Sequence, residues 1–219
     1  MIYAADHLLD VNSGAIYSTR HQFVQRHRMR FRVTFMLILI VAAAAALRLP
    51  VAILGHGLVL CAIVGIYFVA VHAGGDVARR YWPKEFVIGA VFAAGSSITT
   101  WSHFDAARPA WLAIVLFAAL CILNCCAVDS WEWQASHVLL RYPHRLTRWV
   151  ARHCFGAATV VIVLGALLLL VAPNSAILAL LLSAVLLIAV ARVRDRLSPE
   201  AARLLADAAL LTPLFFLLR

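Results

Sequence analysis

Charged residues are scarce in this sequence. Only 13% of its 219 residues are Asp, Glu, Lys or Arg, and only ten of these are acidic. A soluble domain carries about 25% charged residues, which cover its surface in water. Because 64% of this chain is hydrophobic, it lacks such a surface. The composition therefore excludes a water-soluble globule and predicts an all-α, polytopic transmembrane bundle.

Negative charge is the scarcer sign, since 19 Lys and Arg leave a net charge of +9. A basic protein of this kind can bind nucleic acid, but here the arginines form short clusters between apolar runs. That arrangement is typical of loops that meet anionic lipid headgroups. The lipid bilayer is thus a predicted partner and nucleic acid is not.

Cysteine pairs and an N-terminal signal are also lacking. The five cysteines form no CxxC motif, and Cys125 and Cys126 are adjacent, which is poor geometry for binding one metal ion. They are interpreted as small buried apolar residues. The first strongly apolar run begins after Arg32, so no signal peptide is predicted.

Long apolar runs, by contrast, are abundant. A membrane span needs about 20 apolar residues. The sequence predicts one transmembrane domain over residues 1–219, in which residues 1–32 form a cytoplasmic segment. About seven spans are predicted, at residues 33–49, 51–73, 86–101, 110–128, 155–172, 175–191 and 203–218. Pro173 and Asn174 predict a tight hairpin between the fifth and the sixth of these.

The basic residues divide unequally between the two sides of such a bundle. Of the 19, all except Arg48, Arg108 and Arg219 fall on one side. The positive-inside rule assigns this side to the cytoplasm. The sequence therefore predicts a multi-pass protein of the cell (inner) membrane, with a cytoplasmic N-terminus.

The longest predicted loop, residues 129–153, mixes tryptophans and leucines with four arginines. This composition is typical of an amphipathic segment at the level of the lipid headgroups. Two interpretations remain open. The segment is either an aromatic belt that anchors helix ends, or a lid over a pocket that opens at the cytoplasmic face.

Two pairs of carboxylates fall on the predicted cytoplasmic side. Asp6 and Asp10 are four residues apart, and Asp129 and Glu132 are three apart, so each pair shares one face of a helix. Magnesium prefers carboxylate oxygens and substrate phosphates. Two facing pairs would hold a diphosphate through Mg²⁺, with Asp6, Asp10 and Asp129 as metal ligands. The alternative is that these acids form ion pairs with neighbouring arginines.

One further acid, Asp207, lies inside the last predicted span. A carboxylate within a span is costly and marks a candidate functional site. The alternative is a hydrogen-bonded contact with a neighbouring helix. On the same predicted side, Arg79, Arg80 and Lys84 are candidates to contact phosphate oxygens.

Residues 3–10, 78–85 and 123–132 each carry part of a pattern, and together they resemble the UbiA superfamily of intramembrane prenyltransferases. Residues 3–10, Tyr-Ala-Ala-Asp-His-Leu-Leu-Asp, are similar to the last two acids of the family's first aspartate-rich motif, NDxxDxxxD. Residues 78–85 resemble the basic loop before a glycine-bearing helix. Residues 123–132, which contain Asn124, Asp129 and Glu132, fall where the second aspartate-rich motif belongs.

The resemblance implies a nine-helix fold in which the seven spans are helices three to nine. The missing first two helices imply either an upstream start or a reduced relative. The resemblance also implies Mg²⁺-dependent transfer of a prenyl group from a polyprenyl diphosphate to a hydrophobic acceptor. The implied catalytic residues are Asp6, Asp10, Asp129 and Glu132, and the implied substrate-binding residues are Arg79, Arg80, Lys84, Asn124 and Asp207.

The motifs depart from the family pattern. Ile2 and Tyr3 stand in place of the first motif's Asn-Asp, and the spacing in the second motif is irregular. The alternative is therefore a non-catalytic UbiA-like scaffold or accessory subunit that binds other membrane subunits. A small transporter would require discontinuous helices and matched repeats, which the sequence does not display.

Overall fold

The computed structural model describes residues 26–73, 83–98, 108–135 and 144–212, to which every structural statement below refers. Within these ranges the chain forms helices and connecting turns, with no strand, as the sequence predicts. The α-helices are α1 Arg28–Ala46, α2 Val51–Ala73, α3 Lys84–Ser96, α4 Arg108–Ala135, α5 Arg145–Arg152, α6 Cys154–Val171, α7 Ser175–Val193 and α8 Pro199–Ala209. A short 3-10 turn, Arg194–Arg196, joins α7 to α8.

Three of the described helices are long and apolar enough to cross a membrane. They comprise Trp111–Gln134, Cys154–Val171 and Ser175–Arg196, with 24, 18 and 22 residues. These match the predicted spans at 110–128, 155–172 and 175–191 and mark the chain as a membrane protein. Shorter apolar stretches, of 10–17 residues each, cover Arg32–Ala46 within α1 and Val51–Tyr67 within α2. The count of seven spans, the membrane and the N-terminal orientation stay predictions.

Some helices extend beyond the predicted spans, because polar residues end an apolar run without ending a helix. Polarity after residue 128 ends the apolar run, but α4 continues to Ala135. The last described helix begins at Pro199, before the predicted 203, because Ser198 caps it by accepting a hydrogen bond from the backbone N of Ala201 at 3.2 Å. With 13 residues, α3 is about 20 Å long, short of the about 30 Å of hydrocarbon in a bilayer.

The α6–α7 hairpin forms as predicted. The Asn174 side chain caps α7 by accepting a hydrogen bond from the backbone N of Ala176 at 2.8 Å. The two helices pack closely at Gly165, where an added Cβ would lie 2.8 Å from Cδ2 of Leu181. Small residues permit such approaches between helices in lipid.

The chain divides into two compact units. One comprises Met1–Gly55 with Ser136–Leu140, and the other His56–Ala135 with Arg141–Arg219. In the first unit, α1 exposes most of its described apolar side chains, for example 57% of Met36 and 65% of Ile40.

The second unit is built around α4, which packs against α3, α5, α6, α7 and α8. Its core includes the fully buried Leu120, Cys126 and Leu187. Among the described glycines, Gly89 has the closest approach of another helix's backbone, where α3 packs against α4. A Cβ at Gly89 would lie 2.7 Å from both the backbone N and the Cα of Ile122, so only glycine fits there.

Candidate functional site

The predicted site residues that the structure describes lie in the second unit, those of α4 between Asn124 and the end of the helix. The end of α4, the start of α6 and the end of α7 lie together, since Gln134, Phe155 and Arg192 line one groove. The guanidinium group of Arg192 is 5.8 Å from the ring centroid of Phe155. The arginines of α5, which precedes α6, and of the 3-10 turn, which follows α7, lie at this end as well. The predicted clustering of basic residues at one end is therefore present in this unit.

A hydrogen bond between Asn124 and Asp207 links α4 to α8. Asn124 Nδ2 donates to Asp207 Oδ1 at 3.1 Å, across 83 residues of sequence. Asn124 is only 2% exposed, whereas the Asp207 side chain is 55% exposed. Asn124 Oδ1 is also buried and has no hydrogen-bond partner among the described residues. Two residues that were predicted separately to bind substrate are therefore direct neighbours.

Arg203 lies between two of the predicted carboxylates. Its NH1 donates to Glu132 Oε1 at 3.1 Å, and its Nε is 3.6 Å from Asp207 Oδ2. The Arg203 side chain is 18% exposed, so water screens these pairs only in part. The alternative interpretation of these acids was that they form ion pairs with arginines and a hydrogen bond between helices. The contacts of Arg203 and the Asn124–Asp207 hydrogen bond are of these kinds.

Lys84 and Asp129 belong to the same neighbourhood. The charged groups of both lie near the Cys125 side chain of α4, as do those of Asp207 and Glu85. The structure thus brings together Lys84 from α3, Asn124, Asp129 and Glu132 from α4, and Asp207 from α8. The other predicted site residues, Asp6, Asp10, Arg79 and Arg80, lie outside the described residues.

A buried contact between α3 and α5 was missed by the sequence analysis. Thr147 Oγ1 donates to Glu85 Oε2 at 3.0 Å, and these residues are 0% and 6% exposed. Glu85 lies in the first turn of α3, where the helix dipole favours a negative charge. The available signal was Pro83 followed by an acid, which is typical of a helix start.

The missed role of Arg203 also had a sequence signal. Arg203 and Asp207 are four residues apart, which places them on one face of a helix. In the sequence, Arg203 stands out only as one of the basic residues of the predicted cytoplasmic side. Its contact with Glu132 joins residues 71 apart and has no local signal.

The described residues do not form a magnesium site on their own. No group of three His, Cys, Asp or Glu side chains among them is placed to hold a metal ion. The carboxylates of Glu132 and Asp207 are directed at Arg203 instead. Magnesium ligation therefore remains a prediction that depends on Asp6 and Asp10, which lie outside the described residues.

The predicted loop at 129–153 is partly helical. Its first part continues α4, and Arg145–Arg152 forms the short amphipathic helix α5. The ring Nδ1 of His144 caps α5 by accepting a hydrogen bond from the backbone N of Leu146 at 3.1 Å. Thr147 is buried while Arg148 and Trp149 are exposed, as an amphipathic helix at a membrane surface requires. Both the belt and the lid interpretations are compatible with this helix.

Comparison with protein-family models, with curated proteins and with solved structures found no match.

Proposed function

We propose that this chain is a UbiA-like integral membrane protein that binds a polyprenyl diphosphate where α4 meets α8, and transfers the prenyl group to a hydrophobic acceptor. One observation carries the proposal. The described members of the predicted site come from three separate helices and lie in one neighbourhood, centred on the 3.1 Å contact between Asn124 and Asp207.

The chemistry of these residues suits a diphosphate. The Lys84 ammonium and the Arg203 guanidinium supply donors for phosphate oxygens. In the transfer, the bond between the prenyl carbon and oxygen breaks and its electron pair stays on the diphosphate. The prenyl carbon bonds to the acceptor, which loses a proton. Fixed positive charge beside the leaving group stabilises the charge that develops there. Mg²⁺, which Asp129 would hold together with Asp6 and Asp10 as predicted from the sequence, would neutralise further charge on the diphosphate.

Asn124 offers a second feature that suits a ligand. Its Oδ1 is buried without a described hydrogen-bond partner, and a buried acceptor of this kind is costly unless a donor or a cation satisfies it. A ligand hydroxyl, a water or a cation at this oxygen would remove that cost. The position is beside Asp207, whose exposed side chain leaves an approach from outside the bundle.

A second candidate is a non-catalytic UbiA-like scaffold or accessory subunit of a larger membrane complex. The observation that favours it is the engagement of both Glu132 and Asp207 by Arg203. A carboxylate paired with an arginine stabilises the association of α4 with α8 without any ligand. In this interpretation the polar residues fasten the bundle, and other subunits bind elsewhere on the chain.

Equilibrium binding of radiolabelled farnesyl diphosphate to the detergent-purified chain, with and without millimolar Mg²⁺, distinguishes the two candidates. The proposal predicts saturable, Mg²⁺-dependent binding that weakens about tenfold or more in Asp129→Asn and in Lys84→Gln. Glu200→Gln is the matched control, since Glu200 is an exposed acid at the start of α8. Thermal unfolding of each variant verifies that it folds. Folded protein that binds no prenyl diphosphate would favour the scaffold.

A further inference from the structure

A second polar feature lies at the end of the unit where α4 finishes. None of the predicted site residues takes part in it. It is a groove of about 770 Å³ between the end of α4, the α5–α6 segment and the end of α7. We call it the arginine groove, after Arg148, Arg152, Arg192 and Arg194, which line it with Trp131 and Trp133. Its volume is within the about 300–1,000 Å³ that is usual for ligand sites.

The groove is strongly positive. Four guanidinium groups and one carboxylate, that of Asp195, line it and leave a net charge of +3. Asp195 pairs with Arg194 at 3.0 Å. Arg148 and Arg152 are exposed, and no carboxylate of the described residues pairs with either. Guanidinium groups offer a planar fork of donors that matches a phosphate group, so the groove suits a phosphate-bearing anion.

The position of the groove along the helices indicates where that anion comes from. The groove is formed by the ends of the three helices that are long and apolar enough to span a membrane. Helix ends of this kind lie at the level of the lipid headgroups, where tryptophan is enriched. Phe155 lines the groove and is 44% exposed, and Val193, which follows Arg192 in the sequence, is 42% exposed. These apolar surfaces would contact the acyl chains of a lipid whose headgroup occupies the groove.

The groove is also distinct from the candidate site. With 3.6 residues per turn, successive residues of a helix are about 100° apart. Ser130 and Gln134, which line the groove, therefore lie on the face of α4 opposite to Glu132, while Trp131 and Trp133 flank it. No residue that lines the groove takes part in the contacts described above for Asn124, Glu132, Arg203 and Asp207. A ligand in the arginine groove leaves the Asn124–Asp207 contact in place, so the inference does not depend on the proposed function.

We propose that the arginine groove binds the phosphate headgroup of an anionic membrane lipid from the leaflet that faces this end of the bundle. Basic pockets between the ends of transmembrane helices recognise such headgroups through charge and hydrogen bonding together. The bound lipid fastens the ends of α4, α6 and α7 to one another and to the membrane surface.

The test uses the full chain in detergent, titrated with phosphatidylglycerol and with zwitterionic phosphatidylcholine. The shift in thermal unfolding temperature gives the apparent Kd for each lipid. The test variant is Arg148→Gln/Arg152→Gln. Its matched control, Arg145→Gln/Arg196→Gln, removes the same charge from exposed arginines that do not line the groove. Parallel titrations with inorganic diphosphate measure binding of a phosphate group that carries no lipid.

The proposal predicts saturable stabilisation by phosphatidylglycerol and little by phosphatidylcholine. The test variant should bind phosphatidylglycerol about tenfold or more weakly, and the control variant less than about threefold more weakly. Equal losses in the two variants would mean general attraction by positive charge and would overturn the proposal. Diphosphate binding that depends on Arg148 and Arg152, without stabilisation by phosphatidylglycerol, would assign the groove to a soluble anion and would also overturn it.

Discussion

The α3–α4 pair and the α6–α7 pair both pack at a glycine, but their partners are specified in different ways. The α6–α7 hairpin joins consecutive helices through Ala172, Pro173 and Asn174. Its helices are mostly apolar, although Ser183 of α7 is buried and hydrogen-bonded to Thr212. No comparable turn joins α3 to α4, which instead approach closely at Gly89. Polar contacts then join α3 to α5 and α4 to α8, between residues 62, 71 and 83 positions apart. A local turn thus defines the hairpin, whereas contacts between residues distant in the sequence define the region around α3 and α4.

The difference follows from the solvent. Lipid tails are as apolar as leucine, so burying apolar side chains does not select one partner helix over another. A short turn can determine which helices pack together when they are consecutive. For helices distant in the sequence, a close backbone approach and satisfied polar groups must determine the partner. We therefore expect substitutions in the α3–α4 region to have larger effects than equivalent ones in the hairpin.

The largest expected effect is that of Gly89→Ala. The new Cβ would meet the Ile122 backbone at 2.7 Å, which cannot yield without moving α3 from α4. We expect the free energy of unfolding to fall by about 3 kcal/mol, as for overpacked cores. Gly165→Ala should cost about 1 kcal/mol or less, because Cδ2 of Leu181 can rotate away.

Chemical or thermal unfolding in detergent measures both variants. Gly156→Ala is the control, since no atom lies within 4 Å of its Cβ position, and it should be neutral or slightly stabilising. Equal losses for Gly89→Ala and Gly165→Ala would contradict the contrast between the two helix pairs.

The next effect is that of Thr147→Val, which removes a hydrogen-bond donor from the buried Glu85 carboxylate while keeping the side chain's shape. We expect a loss of about 2 kcal/mol in the free energy of unfolding, since a hydrogen bond to a buried charged group is lost. Thr159→Val is the matched control. Thr159 is exposed on α6, and its hydroxyl donates only to the Phe155 carbonyl of its own helix. An equal loss of stability in the control would show that the hydrogen bond to Glu85 does not contribute more than a hydroxyl bond within one helix.

The smallest effect concerns the hairpin. Asn174→Ala removes the cap of α7 and should cost about 1 kcal/mol, whereas Asn174→Ser should restore most of that stability. The free energy of unfolding of the two variants measures the difference. A loss in Asn174→Ala larger than that in Thr147→Val would reverse the proposed order of the two regions.

Sequence predicted the features that depend on nearby residues. The hairpin, the start of α2 after Pro50 and the three long apolar helices follow from composition, length and turn residues. The continuation of α4 to Ala135 was missed because polar residues such as Asp129 and Glu132 end an apolar run without ending a helix.

The candidate site was predicted only in part, for a related reason. Asn124 and Asp207 were selected individually, as a motif residue and as an acid within a span. Their contact depends on how α8 returns to α4, which no local pattern encodes. Arg203 was missed as the partner of Glu132 for the same reason, and Glu85 because its partner Thr147 lies on another helix.

The most direct test of the central claim, that α4 and α8 meet at the predicted site residues, is cysteine cross-linking. The Asn124→Cys/Asp207→Cys variant, in a chain whose five native cysteines are replaced by alanine, is treated with a mild oxidant or a short thiol cross-linker. Proteolysis between the two positions then shows whether they are joined. The control, Leu123→Cys/Asp207→Cys, turns the thiol about 100° around α4 at nearly the same depth. We predict rapid cross-linking in the first variant and little in the control. Equal cross-linking in both, or none in the first, would contradict the arrangement.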